Sequence, residues 1–115
     1  MKLSTVFLGQ GIYYLLTGLW PLLSIETFML VTGPKTDIWL VKMVGLLTVS
    51  IAIMLLVAAR KNAAEIRILA VSAALSYMAI DIYYFLDGTI DKIYLADAVV
   101  ECILLLLLVF SRKNG

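Results

Sequence analysis

Residues 93–110 read IYLADAVVECILLLLLVF, and this stretch decides the fold. It carries two charges, Asp97 and Glu101, in an otherwise apolar run with no alternation of polarity. A transmembrane strand would be about 9–11 residues long and would alternate. At 1.5 Å per residue, roughly 20 apolar residues cross a bilayer core as a helix. Working outward, three more runs have the same character. Leu3–Ile25 has no charge, Ile38–Ala59 carries Lys42, and Ile68–Leu86 carries Asp81. The reading is all-α: a four-transmembrane-helix, up-down bundle in one integral membrane domain over 1–115. Helices are expected at about 4–31, 38–59, 64–86 and 91–110.

Composition agrees. Of 115 residues, 63% are hydrophobic and 15% charged, and mean hydropathy is +1.06. Soluble domains are about 45–50% apolar and about 25% charged. A soluble enzyme and a disordered chain are both excluded. Nine basic against eight acidic residues leave no basic surplus for nucleic acid. The chain has no His, the usual haem and zinc ligand and the usual proton carrier near neutral pH. Its one cysteine, Cys102, cannot form an intrachain disulfide. No cofactor is expected.

The breaks between runs have turn chemistry. Gly33-Pro34 precedes Asp37, an expected N-cap, and Arg60-Lys61-Asn62 and Asp87-Gly88-Thr89 mark the other two. Short loops force neighbouring helices to run antiparallel. Pro21 is expected to kink the first helix without ending it. That run also contains Gln10, Tyr13, Tyr14 and Trp20, and it reads as a retained helix instead of a cleaved leader. Lys2, Arg60, Lys61, Arg67, Arg112 and Lys113 fall on one side, and Lys35, Lys42 and Lys92 on the other. The positive-inside rule then places both termini in the cytoplasm of a bacterial-type inner membrane.

Comparing the halves pairs Gly33 with Gly88, Ile38 with Ile93, Trp39 with Tyr94, Glu26 with Asp81 and Lys42 with Asp97. Two pseudo-repeated helical hairpins are one reading of this match, and chance among few residue types is the other.

Charged groups inside a bilayer are costly, about 2.5–3.5 kcal/mol at a helix centre, and usually face the bundle interior. Asp97 and Glu101 lie one turn apart and share a face that Tyr94 extends. Tyr77, Asp81 and Tyr84 share another, and Trp39 and Lys42 a third; Glu26 ends the first helix. Glu26, Asp81, Asp97 and Glu101 with Lys42 would leave −3 in one site. That charge requires a bound cation, water or protons. Lys42 is expected to approach one of the acids. The alternative is structural: headgroup-level charges, a snorkelling Lys42 and an interfacial aromatic belt.

Gly11-Ile12-Tyr13-Tyr14-Leu15-Leu16-Thr17-Gly18-Leu19 and Lys42-Met43-Val44-Gly45-Leu46-Leu47 resemble the DoxX-like small bacterial membrane proteins over the first half of the chain. The resemblance implies a four-helix protein of similar length, linked to quinone-coupled oxidation as an accessory membrane subunit. A looser likeness is to four-helix ligand-binding proteins of the sterol-isomerase and sigma-two receptor type, which also bury carboxylates in a membrane pocket.

Three function classes are consistent with these features. The first is an outward-facing acidic pocket that binds or transports a cation, a protonatable amine or a polar lipid. The second is an accessory subunit of a larger membrane complex, and the third a small membrane enzyme acting on a lipid or quinone. The absence of His weighs against the third. Expected partners are the bilayer, a small cationic or lipid-like ligand, and a homodimer or larger complex.

Overall fold

The computed structural model describes residues 2–61, 63–88, 90 and 92–111. The chain is an all-α four-helix bundle. Its helices are α1 (Leu3–Leu23), α2 (Ile25–Thr32), α3 (Ile38–Lys61), α4 (Arg67–Leu86, entered through a 3₁₀ turn, Ala64–Ile66) and α5 (Ile93–Phe110). Four spans, Leu3–Leu23, Ile38–Lys61, Ala64–Leu86 and Ile93–Phe110, are long and apolar enough to cross a membrane. Most large apolar side chains of α3 and α5, such as Leu46, Leu47, Ile103 and Val109, point outward, as a lipid-facing surface requires.

The first segment differs from the expected continuous helix over 4–31. Pro21 lies within α1, where it has no N–H to donate to the carbonyl one turn back. Three residues later the backbone leaves helical geometry at Ser24 (φ −153°, ψ 85°). Ser24 then caps α2, its hydroxyl accepting from the Thr27 N–H at 3.5 Å. Two side-chain contacts hold the corner. The Trp20 indole N–H donates to Thr27 Oγ1 at 3.0 Å, and its ring meets Phe28 edge to face at 5.3 Å. A weakened last turn followed by a good cap makes a break cheaper than a kink.

Helix ends elsewhere shift slightly. The second span continues to Lys61, and the last helix begins at Ile93; Asp91, at its expected start, lies outside the described residues. Gly33 and Gly88 both have positive φ, 101° and 82°, and each stands five residues before the next helix. Each half thus has a positive-φ glycine in its turn. Their charged positions differ: Glu26 is exposed where Asp81 is buried, and Lys42 is exposed where Asp97 is half-buried.

α1 packs along α3, and α4 along α5. The first pair touches backbone to backbone at Gly18 and Gly45. A Cβ on Gly45 would stand 2.7 Å from the Gly18 carbonyl oxygen, and one on Gly18 2.8 Å from that of Gly45. Small residues allow such approach in membranes, where dispersion between helices replaces the hydrophobic drive. The dense core fills the half of the bundle that holds the start of α1. Leu3, Val6, Phe7, Ala52, Leu55, Ala58, Ala70 and Leu108 are buried there. Gln10 ties the hairpins in that half, donating its amide to the Ala70 carbonyl at 3.1 Å. Arg67 donates to the Ser111 carbonyl at 3.0 Å.

Candidate functional site

The other half of the bundle is hollow. A cavity of about 570 Å³ lies between the hairpins, lined by all five helices. Its walls are largely apolar: Pro21, Phe28, Val41, Val44, Ile80 and Val100. The dense core lies on one side of it, and the residues around the Gly33 turn, Thr32 and Lys35, line the other.

Three carboxyl groups converge in it: Asp81 from α4, and Asp97 and Glu101 from successive turns of α5. Asp81 and Glu101 are 5% and 1% exposed. The charged groups bearing on Asp81 are the carboxyls of Asp97 and Glu101 themselves. Two of the three have dedicated donors. The Tyr14 hydroxyl donates to Glu101 Oε1 at 2.6 Å, and the neighbouring Tyr13 hydroxyl donates to Asp97 Oδ1. Both tyrosines come from α1, the charge-free helix, so the hairpins meet through phenol–carboxyl contacts. Hydrogen bonds to charged acceptors are roughly twice as strong as neutral ones. Asp81 differs. It lines the cavity and shares a side-chain hydrogen bond with Asp97, while its Oδ2 is buried without a hydrogen-bond partner.

A second polar contact spans α3 and α4: Thr48 and Tyr77 share a hydrogen bond between their hydroxyls. The Tyr77 ring meets Tyr14 edge to face at 5.2 Å. Lys35 also lines the cavity. Its Nζ donates to the carbonyls of Thr32 and Gly33, both at 3.1 Å, where α2 ends. Cations suit a helix C-terminus, where carbonyls lack partners. The same ammonium lies 5.3 Å from the centre of the Tyr94 ring.

Of the nine residues expected to form the site, Asp81, Asp97, Glu101, Tyr77 and Tyr94 line the cavity. The other four do not. Lys42 is exposed on α3, so the expected approach to an acid is corrected: the lysine at the cavity is Lys35. Trp39 is 64% exposed and fits an interfacial anchor. Tyr84 stacks edge to face on Tyr83 at 5.0 Å, outside the cavity. Glu26 is exposed beside a separate shallow depression with Met29, Leu30, Gly33 and Pro34. Sequence reasoning assigns Tyr13 and Tyr14 no place in the site, yet they hold two of its three acids. The one signal for them is a pair of adjacent hydroxyls in a run with no charge of its own.

Among the described residues no three His, Cys, Asp or Glu side chains are placed to hold a metal ion. No family model, curated protein or solved structure matches this chain.

Proposed function

We propose that this multi-pass membrane protein binds a protonated amine with an apolar body in the cavity between its hairpins. The observation that carries the reading is the unpartnered Asp81 Oδ2, buried in an apolar cavity where tyrosines already hold the other two acids. A buried carboxyl oxygen without a partner is costly, and an ammonium supplies both a hydrogen bond and the charge that favours an ionised Asp81. The apolar walls take the rest of the ligand, as in most small-molecule sites. The cavity is built on the half that the six-to-three basic bias places outside. The reading is therefore of a bacterial-type inner-membrane protein with both termini in the cytoplasm and the pocket facing outward.

The test uses purified full-length chain in detergent and hexylamine as probe. Trp20 lines the cavity and reports by its fluorescence, in a Trp39→Phe background that removes the second tryptophan. Hexylamine should shift Trp20 emission saturably, and Asp81→Asn should weaken its binding at least tenfold with helicity unchanged by circular dichroism. Equal binding by Asp81→Asn and the parent would refute the reading.

A further inference from the structure

The cavity is bipolar. Its lining carries three carboxyl groups and one ammonium, Lys35, among largely apolar residues. Lys35 is half-buried and lines the same cavity as the acids. Two of the three N–H donors of its ammonium go to the Thr32 and Gly33 carbonyls, which fix the group in place. The Tyr94 ring lies beneath the charge. The third donor remains for a ligand. A plain amine would gain from Asp81 and be repelled by Lys35, because like charges sharing a low-dielectric site disfavour each other. A ligand that also carries an anionic group turns that repulsion into attraction.

We propose that Lys35 forms an anion subsite, so that the cavity's ligand is a zwitterion: an ammonium at Asp81 and a carboxylate or phosphate at Lys35, with apolar atoms between or beyond them. This deepens the amine-binding reading and rests on it. The chemistry is shared by soluble ω-amino acids and by ethanolamine phospholipid headgroups.

The experiment compares hexylamine with 6-aminohexanoate, which keeps the amine and adds a terminal carboxylate, using Trp20 emission in the Trp39→Phe background. The parent should bind 6-aminohexanoate at least tenfold more tightly than hexylamine. Lys35→Met should abolish that preference by moving the two probes in opposite directions. The zwitterion weakens, and the plain amine holds or strengthens once the competing cation is gone. Lys35→Arg should keep the preference. Parallel shifts of both probes in Lys35→Met, or no preference in the parent, would overturn the anion subsite, since a lysine that only caps α2 changes both alike. Failure of the underlying amine site looks different: Asp81→Asn would leave both probes unaffected. Lysophosphatidylethanolamine and free phosphoethanolamine form the last arm. Lys35-dependent binding of the former supports a lipid headgroup, that of the latter a soluble zwitterion, and Lys35-independent binding of both counts against the proposal.

Discussion

The Tyr14–Glu101 contact is fully enclosed, with both residues 1% exposed and their oxygens 2.6 Å apart. Removing the hydroxyl leaves a buried carboxyl without its donor, a change that costs about 1–3 kcal/mol. Tyr14→Phe should therefore lower the thermal midpoint clearly. Tyr77→Phe, which breaks a neutral contact to Thr48, should cost less, about 0.5–1.5 kcal/mol. Equal losses in a melt followed by circular dichroism would show that burial around Glu101 is not what makes its donor matter. Sequence spacing is enough to bring Asp97, Glu101 and Tyr94 onto one face, because the helix repeat fixes relative direction within an element. It does not fix how each helix is turned about its own axis. Lys42 and Trp39 show the consequence: three residues apart on α3, they do share a side, and that side is exposed. Lys35 is out of reach for another reason. It lies in a turn, where no periodicity indicates direction, and its position depends on the carbonyls left over at the end of α2.

At the scale of elements, the four spans are legible because hydropathy and length alone specify them, but the corner after α1 is not. Pro21 marks a weak point in the helix, and a proline alone does not decide between a kink and a break. The break depends on Ser24 capping α2 and on Trp20 reaching Thr27. The contact of α1 with α3 is equally hidden, since many helical glycines touch nothing. Gly9 is one such case, with open space where its Cβ would be, whereas Gly18 and Gly45 face each other's carbonyl oxygens at under 3 Å. Backbone atoms cannot move aside as a flexible side chain can. Gly45→Ala should force α1 and α3 apart and cost about 1–3 kcal/mol, the usual range for overpacking. Gly9→Ala should be neutral or stabilising by up to about 1 kcal/mol, the gain in helix propensity. The pair of variants, compared by thermal melts in one detergent, separates close packing from propensity. A Gly45→Ala protein as stable as its parent would mean that the two helices slide past each other without loss.

For the whole molecule, the cavity and the charge bias are tied together by the chain path. The acids lie in the first turns of α5 and the last turns of α4, and the cavity wall on α3 runs from Leu40 to Thr48, directly after the Gly33 turn. The cavity therefore lies in the half of the bundle on whichever side of the membrane holds residues 33–37. The basic residues Arg60, Lys61 and Arg67 lie at the opposite end of the bundle, beside the dense core. Their surplus argues that this end stays in the cytoplasm. Cysteine labelling decides it. Cys102 is exposed on α5 and is first replaced by Ala. Thr36 and Glu65 are both exposed, one at each end, so a cysteine at either should leave the fold intact. Thr36→Cys should react with a membrane-impermeant maleimide in intact cells, and Glu65→Cys only after permeabilisation. The reverse pattern would turn the pocket toward the cytoplasm. Asp81 and Lys35 would then meet a cytoplasmic ligand, while the chemistry of the site would stay the same, because that chemistry depends on helix packing and not on which side faces out.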